Sequence, residues 1–357
     1  MEKAYLILES GAVFEGESFG AKGTVRGELV FTTGMTGCVE SLTDPSYYGQ
    51  IVLFTFPQMG NYGITYSDQE SEHCQLRGVV VREYCDSPSN FRCDETLDAF
   101  LKQEGVVGIS GVDTRTLTQI IREKGVMAAE LTTEQPSGAI PDMDLCRVTL
   151  GVESTSTHSV KVLLPEQGEP RFSVALMDYG AKASIANSLL ERGCKVTVFP
   201  YNTPAEEILA TKPDGVMLSN GPGDPQDNIF CIQQIQKLFG HVPMFGICLG
   251  HQMMALAAGA ATVKLKFGHH GANQPVKDLE TGKVYVTSQN HNYAVDLGSL
   301  QDTQGQVRYI NVNDGTCEGV DYPNLKAFSL QYHPEAHGGP LDTQFAFDRF
   351  IAMMEGH

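Results

Sequence analysis

Three short stretches in the second half of the sequence carry residue types that could do chemistry. The first is Gly246-Ile247-Cys248-Leu249-Gly250-His251-Gln252, set between an apolar run expected to be a strand and one expected to be a helix. It has the G-x-nucleophile-x-G pattern of a nucleophile elbow, with cysteine as the nucleophile. Small residues two before and two after are needed because larger side chains would clash with neighbouring strands in so tight a turn. A cysteine at a helix N-terminus also meets the positive end of the macrodipole and unpaired N–H groups, which favour the thiolate. The plain alternative is a small buried thiol in a strand-to-helix turn.

The second stretch is Gln331-Tyr332-His333-Pro334-Glu335, at the end of an apolar run read as a strand. A thiol nucleophile needs a base to take its proton and return it to the leaving amine, and that base needs a group to orient its ring. His333 and Glu335 fit these roles, because residues i and i+2 of an extended backbone point the same way and Pro334 disfavours a helix at His333. The competing reading is a surface histidine beside a solvated glutamate. The third stretch, Ser219-Asn220-Gly221-Pro222-Gly223-Asp224-Pro225, follows an expected strand and exposes backbone N–H groups, which suits an oxyanion hole. A nucleotide phosphate loop is disfavoured, since Gln226 stands where a third glycine would be and no G-x-x-x-x-G-K-[ST] occurs. A plain Pro/Gly turn remains open. His269-His270 does not read as a metal site, because adjacent strand residues face opposite ways and no spaced Cys, His or Asp partners stand nearby.

The elements that must position these residues follow from periodicity. From Val174 onward, strands and helices alternate: strands at 174–177, 195–199, 215–218 and 242–247, helices at 183–192, 205–210, 229–239 and 249–258. Further strands are expected at 284–287 and 327–331, and a closing helix at 344–354. Such alternation means βαβ units, hence a mostly parallel sheet with its working loops at the strand C-termini. The N-terminal part reads instead as a β-rich α+β domain, with strands at 4–8, 13–15 and 28–32. A helix there is capped by Asp113, turns Leu117, Ile120 and Ile121 inward and stops at Gly125. Residues 132–170 are rich in Ser, Thr, Pro, Gly and Glu and read as a connection. The expected division is therefore 1–131, a connecting segment 132–170, and an α/β domain 171–357.

Composition narrows the partners. Among 357 residues, 25 Lys and Arg stand against 43 Asp and Glu, a net charge of −18 without any basic run, so nucleic acid and acidic membrane surfaces are excluded as partners. The nine cysteines are an odd number without C-x-x-C spacing, which fits a reducing cytoplasm better than a disulfide scaffold. The N-terminus has no signal-peptide pattern, and the apolar stretch 242–263 is interrupted by His251 and Gln252, so no membrane span is expected.

Taken together, Ser-Asn-Gly-Pro-Gly-Asp-Pro, Gly-Ile-Cys-Leu-Gly-His-Gln and Tyr-His-Pro-Glu-Ala resemble the class I, or triad, glutamine amidotransferases. Over nearly its full length the chain resembles, within that class, the carbamoyl phosphate synthetase small-subunit family. The N-terminal half carries Met35-Thr36-Gly37, Glu40-Ser41-Leu42-Thr43-Asp44-Pro45-Ser46-Tyr47, Gly111-Val112-Asp113-Thr114-Arg115 and Arg122-Glu123-Lys124-Gly125. The C-terminal half adds Lys266-Phe267-Gly268-His269-His270-Gly271 and Gln289-Asn290-His291. The resemblance implies that Cys248 attacks the side-chain amide of glutamine and forms a thioester, with His333 as base and then acid and Glu335 as its orienter. It implies that Ser46, Gly221, Gly223, Leu249, Gln252, Asn290, Asn292 and Tyr293 hold the glutamine. The oxyanion would meet the N–H groups of Leu249 and of a glycine in the 221–223 loop. Positions 292 and 293 are often glycine and phenylalanine in the family, so Asn292 and Tyr293 are departures, as is His337-Gly338-Gly339.

By the same resemblance the ammonia passes to a separate large subunit that carries bicarbonate, ATP and Mg, and this chain itself holds no cofactor and no metal. Three rivals are weighed: an amidotransferase subunit of another synthetase, disfavoured by the N-terminal motifs; a free-standing cysteine hydrolase, which needs no β-rich domain of this size; and a non-catalytic regulatory subunit, against which the intact Cys248, His333 and Glu335 set argues.

Overall fold

The computed structural model describes residues 2–138 and 140–356. They divide into two units, Met1–Thr149 with Lys266–Gly271, and Leu150–Leu265 with Ala272–His357.

In the first unit, alternation along the strands sends side chains to two apolar clusters. Leu6, Leu29, Leu53, Ile109 and Leu131 join Leu117 and Ile121 of the helix Thr114–Lys124. Val30, Val52 and Val79 join Leu97, Phe100 and Leu101 of the helix Leu97–Gln103. The strands close into a barrel, which leaves no edge to pair with another chain. Thr24–Thr32, Ile51–Phe54, Gly78–Val80 and Val107–Ser110 run parallel, while Met127–Thr132, Lys3–Leu8 and Val13–Gly20 complete the ring through antiparallel pairings. Asp113 caps its helix as expected, accepting from the Thr116 N–H at 3.1 Å, and Gly125 ends it.

The second unit is built on a ten-stranded sheet. Its centre is parallel, in the spatial order Cys194–Pro200, Phe172–Asp178, Gly215–Leu218, Met244–Ile247 and Ala327–Leu330. Lys161–Leu163 adds antiparallel at one side; Cys317–Tyr322, Gln306–Asn311 and Thr262–Asp278 add antiparallel at the other, and Val284–Val295 completes the order. The expected mostly parallel sheet is thus parallel only through its middle five strands. One face packs Val174, Leu176, Met217, Phe245 and Ile247 against the helices Ala183–Leu190 and Phe345–Met354. The other packs Ala175, Val216 and Leu218 against Ala205–Ala210, Ile229–Leu238 and Leu249–Ala257.

Residues 132–170, read from composition as a connection, divide between the units. The helix Gly151–Thr155 and the strand Lys161–Leu163 belong to the second, the former by burying Val152 in its core and the latter by pairing with Cys194–Pro200. Lys266–Gly271 goes the other way: its Lys266 carbonyl accepts from the Val126 N–H at 2.9 Å and Phe267 packs beside Phe31. Among the described residues no helix is long and apolar enough to cross a membrane.

Candidate active site

Four neighbouring parallel strands end on the same side of the sheet, and each is followed by a segment carrying polar groups. After Phe172–Asp178 comes 179–182, after Gly215–Leu218 comes 219–223, after Met244–Ile247 comes Cys248, and after Ala327–Leu330 comes 331–335.

Cys248 sits at the start of the helix Leu249–Ala257 with φ 52° and ψ −103°, a backbone conformation a non-glycine residue rarely adopts. The turn holds because its neighbours are glycines. A Cβ on Gly250 would lie 2.5 Å from the Leu218 carbonyl oxygen, and one on Gly246 would lie 2.5 Å from Met254 Sδ. The Cys248 N–H donates to the Leu330 carbonyl at 2.8 Å, which ties the elbow to the strand leading to His333.

His333 and Glu335 are both buried, and Nδ1 of the ring lies 2.6 Å from Glu335 Oε1. The pair forms as expected, but not on an extended backbone: the strand stops at Leu330, and Pro334 and Glu335 lie in a turn. A carboxylate can only accept, so Nδ1 carries the hydrogen of this contact. Burial and Lys182 push His333 down, but Glu335 and the Cys248 thiol outweigh them and carry it up to about 10. Glu335 is held below the usual carboxylate range: burial pushes it up, while His333 and Lys182 more than offset this. The Cys248 thiol donates to the Asn290 carbonyl at 3.6 Å, and His333 Nε2 has no hydrogen-bond partner among the described residues. A turn of the S–H bond away from Asn290 would bring thiol and base together, a tightening such sites often undergo only with substrate present.

The 219–223 loop is tied down from both sides. Ser219 Oγ accepts from the Tyr179 N–H at 2.9 Å, and the Ser219 carbonyl accepts from the Gly250 N–H at 3.0 Å. Gly221 lies so close to its neighbours that a Cβ would fall 2.2 Å from the Tyr179 carbonyl oxygen and 2.8 Å from Leu249 Cδ2. The Gly250 amide is thus committed, while the Leu249 amide, the first of the helix and next to Cys248 in sequence, is one of those that helix geometry leaves without an intrahelical acceptor. Gly223 has φ +90° and continues the same loop.

Of the residues expected to hold glutamine, Gln252 stands one turn after Cys248, its N–H donating to the Cys248 carbonyl at 3.1 Å. Its Nε2 donates to the Tyr293 carbonyl at 2.7 Å, so position 293 meets Gln252 through its backbone. Asn290 and Asn292 lie in the strand Val284–Val295, and Asn292 is not among the described residues with positive φ, so a non-glycine residue is unstrained there. Ser46 belongs to the first unit, where the short turn Pro45–Tyr47 is capped by Asp44, whose Oδ1 accepts from the Ser46 N–H at 2.9 Å.

Sequence reasoning missed Lys182, whose Nζ stands 3.8 Å from Glu335 Oε1 and whose N–H donates to Asn220 Oδ1 at 3.1 Å. It also gave no role to Asp178, which shapes the loop leading to Lys182. Asp178 Oδ1 accepts from the N–H groups of Gly180 (2.9 Å) and Ala181 (2.8 Å). A lone lysine between two alanines has no spacing to mark it; the position of the aspartate at a parallel strand's C-terminus was the usable signal.

A strained cysteine elbow, a buried His–Glu pair and a glycine loop at the C-terminal edge of a parallel sheet define a triad amidotransferase, and residues 175–353 match the family described as glutamine amidotransferase class-I. Residues 6–131 match the carbamoyl-phosphate synthase small chain, CPSase domain. The chain is 50% identical over 356 residues to the carbamoyl phosphate synthase small chain of Listeria monocytogenes serotype 4b, covering 100% of this chain and 98% of that one. It is 50% identical to those of Staphylococcus epidermidis (99% and 97% covered) and Oceanobacillus iheyensis (99% and 97% covered). The chain belongs to the family of carbamoyl phosphate synthase small chains. It is accordingly a glutamine-hydrolysing subunit that works with a large subunit, and the rival readings are not favoured.

Proposed function

We propose that Cys248, His333 and Glu335 carry out the glutamine hydrolysis of this subunit. As the sulfur of Cys248 passes its proton to His333 Nε2 it attacks the side-chain amide carbon, and the negative oxygen that develops meets the Leu249 N–H and the 221–223 loop. His333 Nε2 hands its proton to the amide nitrogen, which leaves as ammonia, and a thioester remains on Cys248. Nε2 then takes a proton from a water that attacks the thioester carbonyl, the carbon–sulfur bond breaks, Nε2 returns the proton to the Cys248 sulfur, and glutamate departs. Glu335 accepts from Nδ1–H throughout, holding the ring's orientation and stabilising the imidazolium. Gln252, Asn290, Asn292 and Tyr293 hold the substrate, and Ser46 is assigned to the same ligand by the family resemblance. The ammonia goes to a large subunit of carbamoyl phosphate synthase that binds ATP and Mg, with this chain contributing no cofactor, and the compartment is the cytoplasm.

The observation that carries this reading is the 2.6 Å His333–Glu335 contact beside a cysteine on a strained turn. Acid quenching of the enzyme during turnover of labelled glutamine tests it. Label should be held on the peptide containing Cys248; label on no cysteine, or on another of the nine, would sink the assignment.

A further inference from the structure

The amide of Gln252 is oriented by two acceptors on different strands or loops. Its Nε2 lies 2.7 Å from the Tyr293 carbonyl and 3.0 Å from Gln331 Oε1. A carbonyl cannot donate, so the group facing Tyr293 must be the NH2; the reverse orientation would set two acceptors against each other. With that sense fixed, the atom of Gln331 facing Gln252 must be its oxygen. Both hydrogens of the Gln252 amide are then used, and its Oε1 is bonded to none of the described residues. The Tyr293 carbonyl is filled as well, since it also faces His291 Nδ1 at 2.7 Å. Gln331 is fully buried, and its own Nε2 has no partner among the described residues.

We propose that Gln331 is a positioning residue: by holding the second N–H of Gln252 it presents the Gln252 side chain to substrate as an acceptor only, selective for the α-ammonium group of glutamine. This rests on the reading of Cys248 and Gln252 as the glutamine site. Gln252 lies one helical turn from Cys248, on the same face of the helix. Glutamine brings two donor groups. Its amide nitrogen must face His333 Nε2 to receive the proton on leaving, so the donor that remains for Gln252 Oε1 is the ammonium. A carboxylate placed there would meet a second acceptor and be repelled, which sets the direction in which the substrate lies.

The test uses the complete chain with its large-subunit partner and two substrates, glutamine and glutaramate, the analogue without the α-amino group. Gln331→Met should raise KM for glutamine about threefold to tenfold, the value of one hydrogen bond, with kcat within about twofold. KM for glutaramate should barely move. Adding Gln331→Met to Gln252→Met should raise KM no further, because the two act as one unit. Equal losses for the two substrates or multiplying effects in the double variant would each overturn the proposal. An unchanged KM in Gln252→Met alone would show that the underlying glutamine-site reading had failed with it.

Discussion

Two buried histidines stand on neighbouring elements of the second unit, and their surroundings drive them in opposite directions. His251 lies in the helix that follows the nucleophile, with Nδ1 2.8 Å from Ser329 Oγ; burial alone pushes it down, to about 3. His333 is as deeply buried, yet it is carried up to about 10 because Glu335 and the Cys248 thiol outweigh burial and Lys182. The contrast shows that depth does not make a histidine basic; an anionic partner does. The two have opposite consequences for stability. A ring raised above its unfolded value of about 6.5 contributes fully below that pH and loses the contribution as pH rises through about 10. A ring lowered to about 3 contributes above 6.5 and loses the contribution as pH falls.

The largest effects come from breaking the His333 side of the comparison. Cys248→Ser should reduce glutamine-dependent synthesis by about a thousandfold or more, while the complex still uses added ammonium, because only nitrogen delivery needs the sulfur. Equal loss of both activities would remove Cys248 from its role. The same variant should lower the His333 titration midpoint seen by NMR, since a group that raises it has gone. Next in size, Glu335→Gln keeps an acceptor for Nδ1–H but removes the charge, and should lower kcat for glutamine about a hundredfold or more. It should also move the His333 midpoint toward that of His251; a midpoint left near its original value would show that the carboxylate is not what separates the two rings.

Lys182→Met should act more gently and in the other direction. Lys182 pushes His333 down and helps hold Glu335 down, so without it both should titrate higher. If the working pair is thiolate and imidazolium, the alkaline limb of the glutaminase pH profile moves up, with kcat changed only severalfold. A limb that stays in place or moves down would sever Lys182 from the pair.

The His333 side was legible in the sequence because its residues fall in short contiguous motifs. The elbow announces itself by spacing, and His333 and Glu335 are two residues apart. Lys182 was not legible, because the third dimension brings it to Glu335 across 153 positions of sequence. The barrel was only half legible. Ile51–Phe54 and Gly78–Val80 are buried along their whole length, so neither alternates apolar with polar, and each is too short to distinguish from other apolar runs. The strand Thr262–Asp278 was hidden by Gly268, Gly271 and Pro275, residues that read as breaks; past them it pairs with Gln306–Asn311 through Val276, Lys277 and Asp278. The central parallel strands were found nearly to the residue because each is followed by a helix with its own period.

The smallest expected effect tests the other histidine. His251→Gln keeps a side chain able to bond Ser329 Oγ and touches neither the thiol nor its base, so glutaminase activity at pH 7 to 8 should stay within about twofold, and stability there should change by no more than about 2 kcal/mol. What should change is the acid side. In the parent, the unfolded chain takes up a proton at His251 near pH 6.5 while the folded chain resists it down to about 3. Each unit of pH lowered within that window therefore costs up to about 1.4 kcal/mol of stability from this one ring. Glutamine does not titrate, so the slope of unfolding free energy against pH should become shallower by up to that amount between about pH 6 and 4, measured by urea melts on the two proteins side by side. The alkaline side, where His333 gives up its proton, should be unaffected. Identical acid slopes would mean that His251 is protonated in the folded state as readily as in the unfolded one, and the contrast between the two rings would then rest on His333 alone.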